Sequence, residues 1–153
     1  MKTLILGIGN PILSDDGVGF LVVEQLKEAL KTRKDITVKE TSVSGLSLLD
    51  EITGYERLII VDAIQTRNGQ PGDIYRLLPD DFKVGRMAVI HDVGLFSALE
   101  LARKLDIEVP NEVVIFAIEA KDIATFSEKC SPEVETAVPQ AVEMVLKEVS
   151  SSS

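Results

Sequence analysis

The chain has 153 residues, with 25 Asp plus Glu against 16 Lys plus Arg and a formal net charge of −9. That length fits one domain, and 45% hydrophobic residues with a mean hydropathy of +0.18 exclude intrinsic disorder. An acidic chain of pI near 4.6 repels phosphate backbones and anionic membrane surfaces, so neither nucleic acid nor membrane is an expected partner.

Thr3 to Leu6 is an apolar run that predicts a buried strand, since a glycine-rich turn follows at Gly7. From Asp15 the spacing turns helical, through Val18, Leu21, Val22, Leu26 and Leu30. Ile36 to Thr41 alternates apolar and charged residues, as an edge or half-buried strand does. Leu46, Leu48 and Leu49 form a short helical segment after Ser44-Gly45. Arg57 to Ala63 predicts a central strand that ends at Asp62. A turn at Asn68-Gly69-Gln70-Pro71-Gly72 leads to a strand over Asp73 to Leu78.

Arg86 to Ile90 is a short apolar approach to His91, and the helical period returns from Asp92 to Leu105. Val113 to Ile118 is another strand. The last helix carries Val134, Ala137, Val138, Ala141, Val142, Val145 and Val149, with Ser131 as cap, Pro132 as first residue and a kink or restart at Pro139. Alternating strands and helices predict a three-layer α/β/α sandwich with a largely parallel sheet. The expected organisation is one catalytic domain over residues 1–149 and a disordered Ser-rich tail over 150–153.

A single cysteine, Cys130, cannot form an internal disulfide, so nothing calls for an oxidising compartment. The N-terminal apolar run is shorter than a signal-peptide core of ~7–15 residues, and no stretch approaches the ~20 apolar residues of a membrane span. A cytoplasmic protein is the expectation.

Ligands of α/β folds gather beyond the carboxyl ends of the strands. Gly7-x-Gly9 resembles the start of a dinucleotide fingerprint, but Ile12 stands where the third glycine belongs. Asp15 and Asp16 suit a helix start, where carboxylates complement the macrodipole, and equally suit a ligand or acid–base role. Asp62 is either a turn former or a carboxylate at a strand end. His91, the one histidine, is either a hydrogen-bonded ring or the only imidazole available for chemistry. Two carboxylates and one imidazole from three separate loops make a divalent metal site with open positions. Nothing flanking Cys130 matches a nucleophile turn. Asp16 and Asp62 could instead share a proton as an aspartic pair.

Gly7-Ile8-Gly9-Asn10 followed by Asp15-Asp16-Gly17-Val18-Gly19 resembles the opening motif of the nickel–iron hydrogenase maturation endopeptidases. Val61-Asp62-Ala63, Pro71-Gly72, Ser44-Gly45-Leu46, His91-Asp92-Val93-Gly94-Leu95 and Ser131-Pro132-Glu133-Val134 resemble that family's further motifs in order. The resemblance implies an α/β/α sandwich with a twisted, mostly parallel sheet. It also implies an aspartic-type endopeptidase that removes a C-terminal extension from a hydrogenase large-subunit precursor once nickel is loaded. Asp16, Asp62 and His91 take the nickel-contacting and catalytic positions, and some members carry Glu where this chain has Asp16. Nickel is expected to arrive with the substrate, and the family tends to act as monomers. A metal-independent aspartic-type peptidase and a non-catalytic ligand-binding module are the competing readings. Substrate specificity is expected in the loops Gln65 to Gln70 and Asp80 to Gly85.

Overall fold

The computed structural model describes residues 1–43, 45–82, 88–89 and 93–151. The first strand, β1 (Thr3–Ile8), is buried along its whole length. A 3-10 turn (Ser14–Gly17) leads into α1 (Val18–Ala29), and β2 (Ile36–Thr41) follows. A second 3-10 turn (Gly45–Leu48) runs into the one-turn helix α2 (Leu49–Ile52) and then β3 (Arg57–Gln65). After β4 (Ile74–Leu77) come a third 3-10 turn (Pro79–Phe82), β5 (Ala88–Val89), α3 (Val93–Lys104), β6 (Glu112–Glu119) and α4 (Pro132–Ser151).

The strands form one sheet in the order β2-β1-β3-β6-β4, with β5 paired to β3. The β1–β2, β1–β3 and β3–β6 pairs are parallel, while β4 runs antiparallel to β6 and β5 antiparallel to β3. The helical crossovers between successive strands account for the parallel centre. The central strands are apolar on both faces because both faces are covered. Ile5, Ile59, Val61, Val114 and Phe116 pack against α1 and α4. Leu4, Leu6, Leu58, Ile60 and Ile115 pack against Leu48, Ile52, Leu95 and Leu99 on the other side. This is the expected three-layer sandwich, and each such fully buried side chain contributes roughly 1.5–3 kcal/mol. The edge strand β2 is only half-buried, and its Lys39 and Glu40 pair with Glu51 and Lys27 at the surface.

The structure departs from the sequence-based expectations at three places. β3 does not end at Asp62 but runs to Gln65, because β6 pairs with it as far as Ile64 and β5 takes Ile64 and Gln65. α4 passes through Pro139 without a break. Pro139 is exposed, so water can serve the Glu135 carbonyl whose intrahelical donor it removes. α4 also continues to Ser151, so the tail does not begin at Ser150. Hydroxyls of Ser150 and Ser151 donate to the Leu146 and Glu148 carbonyls, at 2.9 and 3.1 Å. Ser131 does stand at the cap position before Pro132, its carbonyl accepting the Glu135 N–H at 2.9 Å, while its hydroxyl donates to Asp15.

Candidate active site

β1 exits into a loop that folds back on itself through close backbone contacts. A Cβ on Gly9 would overlap the Asp16 carbonyl oxygen, and one on Gly19 would come within 2.5 Å of the Val61 carbonyl oxygen. The glycines of the opening motif therefore let the loop and α1 press onto β1 and β3. They do not cradle a phosphate.

The adjacent carboxylates of this loop diverge. Asp15 is fully buried and accepts backbone N–H groups of Lys121, Asp122 and Ser131 at 2.8, 3.0 and 2.6 Å. The Ser131 hydroxyl reaches both of its oxygens. Asp15 is thus a clasp at the base of the loop over residues 121–131. Ser14 beside it is held at φ +53°, a costly conformation for a residue with a side chain. Its hydroxyl donates to the Thr125 carbonyl at 2.6 Å and its N–H to the Ser127 carbonyl at 2.9 Å. Neither acid caps α1, whose first residues follow Gly17.

Asp16 is buried, and its Oδ2 accepts the Asn10 N–H at 3.0 Å. The Ser14–Gly17 turn that carries it packs on β3. Asp62 is fully buried in β3, and its Oδ1 accepts the Ala63 N–H at 2.8 Å. Alternation along the strand puts it on the face of Ile60 and Ile64, the side covered by α3. Asp16 thus sits in a turn packed on β3, and Asp62 lies within β3 on the face toward α3. His91 lies outside the described residues, as does the Gly85 end of the second predicted specificity loop. On the flank of His91, Val89 pairs with Ile64, two residues along β3 from Asp62. Among the described residues no three His, Cys, Asp or Glu side chains cluster as a metal site.

One acid escaped the sequence reading. Glu119, the last residue of β6, is buried. Its Oε2 accepts the Thr66 N–H at 2.8 Å, and its Oε1 accepts the Thr66 and Tyr75 hydroxyls at 2.6 and 2.9 Å. Burial holds the Tyr75 phenol above its usual range; the bond to Glu119 adds to this and Thr66 opposes it. Charged residues closing an apolar strand are the available signal, and Glu119 after Ile118 shares it with Asp62 after Val61.

Cys130 is not built as a nucleophile. Burial, with Asp15 and Glu135 nearby, pushes its thiol up to about 11, so the thiolate is scarce at neutral pH. It lies at a cleft of about 280 Å³ with Pro11, Ile12, Phe20, Leu21 and Glu24. Neither Asp16 nor Asp62 lines that cleft.

Comparison with known proteins decides the family. A family profile described as hydrogenase maturation protease matches residues 20–148. The chain belongs to the hydrogenase maturation protease family. It is 26% identical to the hydrogenase 2 maturation protease of Escherichia coli over 148 residues, covering 95% of this chain and 89% of that protein. It is 24% identical to the hydrogenase expression/formation protein HupD of Thiocapsa roseopersicina, covering 95% of this chain and 66% of the relative. Among solved structures, the E. coli hydrogenase maturating endopeptidase HybD superposes with a TM-score of 0.80 at 25% identity, covering 97% of this chain and 92% of that one. The maturation protease HybD from Thermococcus kodakarensis gives 0.77 at 29% identity, covering 97% and 99%. The likeness includes the α/β/α architecture, and a hydrogenase maturation protease is a hydrolase of peptide bonds. No helix among the described residues is long and apolar enough to cross a membrane.

Proposed function

We propose that this protease removes the C-terminal extension of a nickel-loaded [NiFe] hydrogenase large-subunit precursor, and that Asp16, Asp62 and His91 meet the nickel carried by that substrate. The observation that carries the reading is the two buried carboxylates, Asp16 in the turn after β1 and Asp62 within β3, each steadied by a backbone N–H. Buried carboxylates carry a desolvation penalty that a bound cation offsets. Carboxylate oxygens with an imidazole nitrogen suit divalent nickel. Three protein groups are fewer than the four of a closed structural site, which suits a metal whose remaining ligands come from the substrate.

Each residue then has a definite task. The Asn10 N–H orients Asp16, and the Ala63 N–H orients Asp62. Asp15 fixes the backbone from which Asp16 projects. The close packing at Gly9 and Gly19 keeps the two carboxylates at a set spacing. When bound, the substrate's nickel supplies charge that can polarise a neighbouring carbonyl or water. A carboxylate of the pair would take the proton of the attacking water.

The test is cleavage of purified precursor with and without nickel. Wild-type protein is expected to process the loaded form alone. Asp16→Asn and Asp62→Asn should fold and lose at least about a hundredfold in rate. Equal processing of both precursor forms removes nickel recognition. Undiminished processing after chelation of enzyme and substrate favours a metal-independent aspartic peptidase. Full activity in both variants removes the site.

A further inference from the structure

Glu119, an acid the proposed chemistry does not use, holds a whole loop in place. Its carboxylate takes Thr66 and Tyr75, its carbonyl accepts the Gly72 N–H at 2.9 Å, and its N–H donates to the Asp73 carbonyl at 2.8 Å. Gly69 lies so close over the carboxylate that a Cβ there would overlap Oε1. The connection between β3 and β4 is therefore folded around one side chain. Arg67 and Asn68, between the anchored Thr66 and the covering Gly69, are exposed.

The loop stands next to the proposed site. It leaves β3 three residues after Asp62, a rise of about 10 Å along the strand. Glu119 lies on the same face of the sheet as Asp62, by alternation from Ala117, which is paired with Asp62. A substrate segment that reaches Asp62 from beyond the strand ends must pass this loop. A loop already ordered before binding loses less entropy on contact than one that must be ordered by it.

We infer that Glu119 is a positioning residue for the precursor: it fixes the Thr66–Gly72 loop as a preformed wall beside Asp62, against which the precursor binds. This rests on the function proposed above. The carboxylate acts by geometry and not by its charge. Glutamine can keep the Thr66 N–H on its carbonyl oxygen and turn its amide toward the two hydroxyls, which rotate to accept. Alanine can do neither.

The full-length protein and nickel-loaded precursor provide the test, with binding and cleavage measured separately and amide exchange followed at Thr66. Glu119→Ala should weaken precursor binding and raise KM roughly tenfold, with kcat within about twofold of wild type. Its Thr66 amide should exchange faster. Glu119→Gln should restore all three. Wild-type binding and KM in Glu119→Ala, an unchanged Thr66 exchange rate, or a Gln variant as impaired as the Ala variant would each overturn the inference. A loss confined to kcat would overturn it too, since it would put Glu119 in the chemistry. Wild-type protein that neither binds nor cleaves the precursor brings down the proposed function first, and this inference with it.

Discussion

Two loops at the carboxyl end of the sheet are each folded around one buried acid, and the two acids are gripped differently. The loop over residues 121–131 closes on Asp15, and both oxygens of Asp15 receive backbone N–H groups. The loop from Thr66 to Gly72 closes on Glu119, where one oxygen receives a backbone N–H and the other only hydroxyls. Backbone donors are fixed in direction, while hydroxyls rotate. The Asp15 clasp therefore demands a carboxylate, and the Glu119 clasp demands only a shape with one acceptor in place.

The amide substitution at Asp15 should break this contrast most visibly. In Asp15→Asn an NH₂ group must face a fixed N–H whichever way the amide turns. We expect a loss of about 3 kcal/mol in denaturant unfolding, as for a buried donor left facing a donor. Glu119→Gln should stay within about 1 kcal/mol of wild type. Equal losses in the two variants would remove the distinction.

Gly69→Ala probes the Glu119 loop from its outer side. The added methyl must displace a carboxylate held by three hydrogen bonds. A loss of about 2 kcal/mol is expected, typical of overpacking. A neutral result would mean that the loop gives way easily, and with it the preformed wall.

A smaller effect comes from the edge strand β4, where an acid of α4 is paired near the surface. Arg76 donates to Glu148 at 2.7 and 3.2 Å, and that guanidinium holds the Glu148 carboxyl below the usual glutamate range, against burial. A lowered folded-state value means stability that is fully present above the unfolded range and lost as pH falls through the folded one. Arg76 is half exposed, so Glu148→Gln should cost only about 0.5 kcal/mol at neutral pH. The difference between variant and wild type should vanish in acid. A difference that persists below the glutamate range would assign the effect to packing.

The layers of the fold were legible because both periodicities are strong. Leu58 to Val61 is apolar at every position, as only a strand covered on both sides is, and α4 repeats its valines and alanines at helical spacing. The end of β3 was not legible, since it depends on pairing with the distant segments Glu112–Glu119 and Ala88–Val89. Asp15 and Asp16 are indistinguishable by type and adjacent by position. Only the return of the 121–131 loop separates clasp from site. Glu119 carried the strand-end signal, but its role was not legible because its partners, Thr66 and Tyr75, lie 53 and 44 residues away in the chain. The ligand rule for parallel sheets draws attention to Asp16 and Asp62, and the structure shows both of them buried.

The clasp at Asp15 has a practical consequence for the loop above it. Lys121, Asp122 and Ser131 are tied together at one point, and the tip is tied back a second time, through Thr125 and Ser127, to the Ile12–Ser14 segment. Phe126 at that tip is 80% exposed. Lengthening a loop whose ends are already closed adds little entropy, growing only with the logarithm of its length. An inserted epitope or tether at Phe126 would therefore cost little in chain entropy, yet it would pull on Ser14 and the turn that carries Asp16 through the neighbours Thr125 and Ser127.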